Sequence, residues 1–450
     1  MFDARELAVL AKAVDKLGAG FRELPEHTSQ NCDLGRLEEV ILATADRLTD
    51  NFPYFHPLYA GQMLKPPHPV ARLAYALAMY INPNNHALDG GLATSSMEKE
   101  AVAEIAAMFG WSNFLGHLCG GGTMANLEAL WVAGQLSPRK KVFASEQAHY
   151  THKRISGVLQ LEFDAVRCDD CGRMDLNDLE LRARAGEAGT VVATLGTTAT
   201  GSVDPLPEIF MLGERYGFRV HVDAAYGGYF KLASNLTASA KQAFEMIQRA
   251  DSIVIDPHKH GLQPYGCGCV LFRDPAVGKL YKHDSPYTYF SSTDLHLGEI
   301  SLECSRPGAS AAALWATQKL LPLVKGGEFA SGLEAGREAA LQFHKLLRDS
   351  GLFVPAFEPE LDIVVFLARE TTNQAASGRS REIFAGAARR GLHLAIAELP
   401  TRFWSKTELA GLATTETVTC LRSVLMKPEH REWILQIIER LAEAHSDTTS

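Results

Sequence analysis

The stretch Asp251–Phe272, DSIVIDPHKHGLQPYGCGCVLF, places a lysine at the mouth of an apolar run. Ile253-Val254-Ile255 stops at Asp256-Pro257-His258-Lys259-His260, and a second apolar run follows a turn containing Gly and Pro. A strand-end lysine is commonly a solvated gatekeeper. Burial and nearby cations give such a residue a second use. They pull the amine below its usual pKa of about 10.4 and make it a nucleophile that condenses with carbonyls to a Schiff base. Both readings are open on this stretch alone.

Three further sites have residue types suited to accompany such an amine. Asp223, in HVDAAYGG, lies 36 residues before Lys259, room for one crossover helix between two strands. The small residues after it leave space for a flat ligand, and a buried carboxylate there could keep a pyridinium nitrogen protonated, as pyridoxal phosphate requires to accept electrons. It could equally be a satisfied strand-end or N-cap aspartate. Gly120-Gly121-Gly122-Thr123 opens a predicted helix, where backbone N–H groups and the helix N-terminus suit a phosphate. The run lacks the Gly-Lys-Ser/Thr ending of a nucleotide phosphate loop, so a plain turn is the alternative. His149, in SEQAHYTHKR, is either a structural histidine or an imidazole placed for ring stacking and proton transfer.

The elements that must position these residues alternate. KVFAS, TVVATLGTT, FRVHVDAA, DSIVID and GCVLF are short, apolar and rich in β-branched residues or Phe, which predicts strands. SSMEKEAVAEIAAMFG predicts a helix started by a Ser95/Glu98 capping box, and TMANLEALWVAG another stopped at Gly134. The alternation predicts an α/β fold with a mainly parallel sheet flanked by helices. Ser145 to His149, Thr197 with Thr198, Asp223 and Lys259 then fall at carboxyl ends of strands, where open α/β sheets bind ligands. A long helical region over 309–349 is followed by LDIVVFLA, HLAIAEL and TVTCLRSVLM, alternating with helices over 378–391 and 429–446. That predicts a smaller C-terminal α+β domain. NFPYFHPLYAGQMLKPPHP (51–69) reads as an extended connector, and HSDTTS as a polar tail.

Composition narrows the function classes. The 450-residue chain has a net charge of −9 and no dense Lys/Arg run, which argues against a nucleic-acid or membrane-surface role. No apolar stretch approaches the roughly 20 residues that span a bilayer. The start, MFDARELAVLAKAVDKL, reads as an amphipathic helix instead of a signal peptide, so a cytoplasmic protein is expected. Eight scattered cysteines do not suggest a disulfide framework. Cys168/Cys171 and Cys267/Cys269 lack the second pair a structural zinc site needs, so no metal is expected.

Taken in order, GGGTMANLEAL, SEQAHYTHK, TLGTTATGSVDP, HVDAAYGG and DPHKHGLQPYGCGCVLF resemble the group II pyridoxal-phosphate-dependent amino-acid decarboxylases. That family includes the aromatic amino acid, glutamate, cysteine sulfinate and aspartate decarboxylases. The resemblance runs from about residue 50 to the C-terminus. It implies a fold type I, PLP-dependent transferase-like architecture. Residues 1–69 would be an N-terminal helical and extended dimer-contact segment, 70–320 the large cofactor-binding domain, and 321–450 the small domain. It also implies pyridoxal 5'-phosphate as cofactor, a small L-amino acid as substrate, and a homodimer with active sites at the interface.

Position by position, the resemblance makes Lys259 the Schiff-base lysine and His258 its neighbour near the phosphate. Asp223 pairs with the pyridine nitrogen, Ala225 packs on one ring face and His149 on the other. Gly122 and Thr123 hold the phosphate, and Thr198 lies near the ring substituents. His149, Tyr287 or Tyr289 is the proton donor to Cα. Pro53-Tyr54-Phe55-His56 resembles a substrate-facing segment that reaches the partner subunit, and Tyr54, Phe55, Tyr59 and Tyr80 are candidates for an aromatic pocket. Arg306 and Arg422 are candidates for binding a carboxylate or phosphate. The aromatic decarboxylases usually carry Asn where Asp256 stands and Trp where His260 stands. These departures bear on the surroundings of Lys259 and on the substrate, and decarboxylation of an aromatic L-amino acid is the slightly preferred reading in spite of them. An acidic amino-acid decarboxylase, an aminotransferase, a carbon–carbon lyase of the same fold and a cofactor-free scaffold are the alternatives.

Overall fold

The computed structural model describes residues 3–25, 32–137, 141–282, 296–409 and 415–446. Four helices come first: α1 (Ala4–Ala19), α2 (Leu34–Leu48), α3 (Pro69–Met79) and α4 (Leu88–Met108). The alternating region follows as β1 (Leu115–Cys119), α5 (Gly122–Leu136), β2 (Lys141–Ser145), α6 (Thr151–Val158), β3 (Phe163–Val166), α7 (Leu176–Ala183), β4 (Ala188–Thr194), α8 (Leu206–Tyr216), β5 (Arg219–Asp223), α9 (Ala238–Met246), β6 (Ser252–Ile255) and β7 (Gly268–Phe272). The remainder is α10 (Gly308–Leu320), α11 (Glu328–Asp349), β8 (Phe353–Pro355), β9 (Ile363–Ala368), α12 (Asn373–Arg389), β10 (Ala395–Pro400), β11 (Thr417–Val424) and α13 (His430–Ser446).

Among the described residues, β1 to β7 form one sheet in the order β1-β7-β6-β5-β4-β2-β3. The pairs β2/β3, β2/β4, β4/β5 and β5/β6 are parallel, and a helix follows each of β2, β3, β4 and β5 before the next strand. β7 runs antiparallel to both neighbours, with Ile255 opposite Cys269. No helix intervenes between β6 and β7, so the chain turns back directly and holds Lys259 in the turn. The sheet interior is dry: Val222, Ile253, Val254 and Ile255 are fully buried, each worth about 1.5–3 kcal/mol relative to exposure. A second, antiparallel sheet, β10-β11-β9-β8, carries α12 and α13.

Several local expectations need correction. Ser95 and Glu98 do not cap a helix; α4 starts at Leu88 and passes them after a non-helical residue, Gly91. Both are buried, and the Glu98 carboxylate accepts from Asn85 Nδ2 (2.6 Å), Leu118 N (2.9 Å) and Arg306 Nη1 (2.9 Å). A capping pattern was borrowed for a tertiary contact. Gly134 does not stop α5, which runs on to Leu136; a Cβ there would stand 2.8 Å from Leu161 Cδ2, so the glycine serves packing. The helical region over 309–349 is present as two helices, separated at Leu321–Gly327 by Pro322 and left-handed Gly326 (φ 72°). Strands β1 (LGHLC) and β3 (FDAV) have few β-branched residues, which hides them from a propensity argument.

Candidate active site

The carboxyl ends of β4, β5 and β6 lie side by side because their registers pair Thr194 with Asp223 and Asp223 with Val254. A cavity of about 710 Å³ opens over them. Gly122, Thr123, His149, Thr198, Asp223, Ala225, His258 and Lys259 all line it. Tyr287 and Tyr289 lie outside the described residues. Thr197 turns away: it is buried, with its hydroxyl 2.7 Å from that of Thr200.

Lys259 Nζ stands 3.1 Å from Asp256 Oδ2, and His258 Nε2 lies 3.6 Å from the same oxygen. His258 Nδ1 is 2.8 Å from the carbonyl of Cys267, and its ring packs on Tyr265 at 4.9 Å. Burial lowers the pKa of the His258 and His149 imidazoles, so both are neutral at neutral pH.

Asp223 is the best-supported acid. Its Oδ2 lies 2.8 Å from His152 Nε2 and accepts from Asn126 Nδ2 at 3.3 Å, while Oδ1 accepts the N–H of Ala225 at 3.1 Å. Burial by itself would raise its pKa. The His152 hydrogen bond and charge, with Lys259 and the Ala225 N–H, reverse that and hold it well below the carboxylate range. His221 backs Asn126, with Nε2 2.8 Å from Asn126 Oδ1 and Nδ1 2.8 Å from Ser252 Oγ.

The glycine run lies where little else fits. Gly121 has φ 144°, and a Cβ there would stand 3.2 Å from His258 Cε1. One on Gly122 would stand 2.7 Å from Asp256 Oδ2. One on Gly268, in β7, would come within 2.6 Å of Gly121 Cα, so the Gly/Cys run does let β7 pack directly behind the loop. α5 begins at Gly122, and its first N–H groups face the cavity's glycine-lined end. Buried Thr194 Oγ1 and Asp256 Oδ1 have no hydrogen-bond partner among the described residues, although both residues line the cavity. A cradle without side chains, a fixed anion and a paired amine on one cavity fit pyridoxal phosphate, whose phosphate, ring nitrogen and aldehyde need those three groups.

Other candidates go elsewhere. Arg422 donates to the carbonyls of Thr198 (2.7 Å), Ala199 (3.0 Å) and Gly61 (3.0 Å), so it props the Thr198 loop and does not line the cavity. Arg306 is buried against Glu98 and the Leu118 carbonyl. Tyr54 and Tyr59 meet edge to face at 4.9 Å in a cluster with Phe52 and His393; neither they nor Phe55 line this chain's cavity, and Tyr80 is exposed. Sequence reasoning missed His152, Asn126, Tyr226 and Tyr265. For His152 a signal existed: Thr151, His152, Ile155 and Ser156 form the buried stripe of α6, so the histidine had to face inward. Tyr226 and Tyr265 carry no comparable pattern.

A family model described as the pyridoxal-dependent decarboxylase conserved domain matches residues 128–369, more than half of the chain. An L-tyrosine decarboxylase of Enterococcus faecium is 30% identical over 389 residues, which is 64% of this chain and 63% of that protein. The chain thus spans less than two thirds of that relative. A probable L-tyrosine/L-aspartate decarboxylase of Methanocella arvoryzae is 30% identical over 340 residues, 74% of this chain and 85% of its own. The solved structure of Oryza sativa TDC with PLP and tryptamine superposes with a TM-score of 0.79 at 18% identity, covering 100% of this chain and 99% of that one, a likeness of fold.

Proposed function

Because the chain belongs to the pyridoxal-dependent decarboxylase family, we propose that it releases the α-carboxylate of an L-amino acid as carbon dioxide, with an aromatic substrate slightly preferred. The observation that carries this is the meeting of Lys259 and Asp223 on one cavity, the amine paired with Asp256 and the carboxylate with His152. When bound, pyridoxal phosphate supplies a ring that accepts the electron pair left on Cα as carbon dioxide departs.

This chain's residues do the rest. Lys259 would hold the cofactor through its amine, at the cavity wall beside Asp256. Asp223, kept ionised by His152, holds a proton on the ring nitrogen. The glycine run, Thr123 and the start of α5 take the phosphate, with His258 beside them. Ala225 and His149, which line the cavity, would hold the ring between them, and Thr198 would border it. His149, in its protonated form, could also carry a proton to Cα, with Tyr289 as the second donor. Removing water from the site favours loss of the charged carboxylate, since the product carries less charge.

The aromatic preference rests on the lining. Met124, Leu127, Tyr150 and Tyr265 are present, and Lys259 is the one lysine or arginine there among the described residues. A side-chain carboxylate would find no second cation. The aspartate reading is supported by the double name of the Methanocella relative. Carbon dioxide release should be measured over a panel of L-tyrosine, L-phenylalanine, L-tryptophan, L-aspartate and L-glutamate. Release from an aromatic member supports the proposal. No release from any, with amino-group transfer instead, overturns it.

We also propose a cytoplasmic homodimer. α1 and α2 bury no residue, and Leu7, Leu37, Val40 and Ile41 stand exposed along them, a face that a second copy would cover. All eight cysteines are free, as a reducing compartment requires. Sedimentation that returns a monomer mass would sink the dimer.

A further inference from the structure

The histidine after Lys259 leaves the cavity. His260 is 2% exposed and sits edge-on to Tyr226 (4.7 Å between ring centroids) and Phe230 (5.0 Å). Its Nε2 stands 3.2 Å from Asp362 Oδ2, an ion-pair distance that lacks hydrogen-bond alignment, and the other oxygen of Asp362 accepts the Tyr226 hydroxyl at 2.5 Å. Asp362 precedes β9 in the second sheet, and its carbonyl accepts the N–H of Leu425 at 2.8 Å. One carboxylate at the start of the second sheet therefore meets two residues that follow strands of the first. Tyr226 lines the cavity, and His260 adjoins its amine. The charged groups that face this cluster are Lys65, from the segment before α3, Arg422 of β11, and Lys259 itself.

The turn carrying Lys259 is pinned at other points too. Gln263 N donates to the Pro257 carbonyl (3.1 Å), and Gln263 Nε2 donates to Thr317 Oγ1 of α10 (2.9 Å). His68 N donates to the carbonyl of Leu262 (2.9 Å), a leucine held at φ 64°. A β-carbon residue keeps such a conformation when its surroundings over-determine it. The other contacts of the turn come from the turn itself, α10, the segment before α3 and the segment after β5, where Ala225 accepts the N–H of Asp256 and the rings of Tyr226 and Phe230 meet His260. The second sheet reaches the turn through Asp362.

We propose that Asp362 clamps His260 and Tyr226 together and thereby fixes the orientation of Lys259, making His260 a positioning residue that links the second sheet to the amine. This rests on Lys259 being the cofactor-anchoring lysine. A long flexible side chain serves a reaction well only when its base is held in place. The rival role for His260 is to fill space, and two substitutions separate the roles. His260→Phe keeps a ring and deletes the N–H; His260→Gln keeps an N–H near the position of Nε2 and deletes the ring.

The readouts are the rate at which a visible band appears when pyridoxal phosphate is added to cofactor-free protein, the pH midpoint of that band, and kcat with KM. For His260→Phe and for Asp362→Asn, band formation slows, the midpoint moves, and kcat falls on the order of tenfold to a hundredfold with KM little changed. His260→Gln lies between wild type and His260→Phe. The double variant is no worse than the worse single one, because both remove one link. If His260→Phe matches wild type while His260→Gln is damaged, or the two effects multiply independently, the inference is overturned. A wild-type protein that forms no band overturns the reading of Lys259 together with it, whereas a normal wild-type band with unchanged variants overturns the clamp alone.

Discussion

His152 Nε2 lies 2.8 Å from Asp223 Oδ2 at the end of β5, with both side chains buried. This pair decides the charge at the floor of the cavity. Without the imidazole, the carboxylate would keep Asn126 and the Ala225 N–H, and burial would push its pKa up.

His152→Ala should therefore move the acid limb of the kcat profile to higher pH and weaken cofactor binding. The sign follows from Asp223: its ionised form is the useful one, and raising its pKa protonates it sooner as pH falls. A pH–rate profile over the acid range measures this. An unmoved limb would show that His152 does not govern the acid.

Lys259→Ala should abolish turnover and borohydride fixation of the cofactor while the protein stays folded. The stability loss should be about 1–3 kcal/mol, the cost of leaving buried Asp256 without its cation. Circular dichroism, a melting curve and a carbon dioxide assay test it together. Residual turnover near the wild-type rate would remove Lys259 from the mechanism.

Gly268→Ala should destabilise the protein by about 1–3 kcal/mol through overpacking, because the new methyl meets the Gly121 backbone at 2.6 Å. The displaced loop is the proposed phosphate cradle, so cofactor affinity should fall with it. Titration of cofactor-free protein with pyridoxal phosphate gives that affinity. Wild-type affinity in a destabilised variant would show that the loop does not hold the phosphate.

Buried His221 is pushed down to about 3, mainly by burial, with His152 adding to it. Unfolded, it titrates near 6.5. Between those values the unfolded chain binds more protons, so stability falls as pH drops from about 6.5 toward 3. His221→Asn lacks this linkage. Although less stable at neutral pH, it should close the gap to wild type as the solution is acidified, as read by denaturant unfolding at several pH values. A constant gap would mean that His221 titrates normally in the folded protein.

Much of the site was legible before folding because its chemistry is local. Lys259, Asp223, His149 and the glycine run each follow a strand or open a helix, and period-2 and period-3.6 patterns place such ends with fair accuracy. The alternation of strands with crossover helices likewise settled the parallel sheet. Where a local pattern was reused for a tertiary purpose, reading by pattern failed. Ser95/Glu98 looked like a cap, but Glu98 serves the Arg306 network, and Gly134 looked like a stop but admits Leu161.

The sequence alone determined which residues stand at the strand ends, since backbone periodicity and small-residue spacing are properties of neighbours along the chain. The tertiary structure decided which partners set their charge. His152 reaches Asp223 from 71 residues away, Asn126 from 97, and Asp362 meets Tyr226 across 136. No short-range rule contains those separations. They arise because burying the faces of two sheets brings distant polar groups together, and buried polar groups must then find each other. The fate of His260 was decided in the same way. Its place in the chain put it beside the reactive amine, and the packing of the second sheet turned it away from the cavity and onto Asp362.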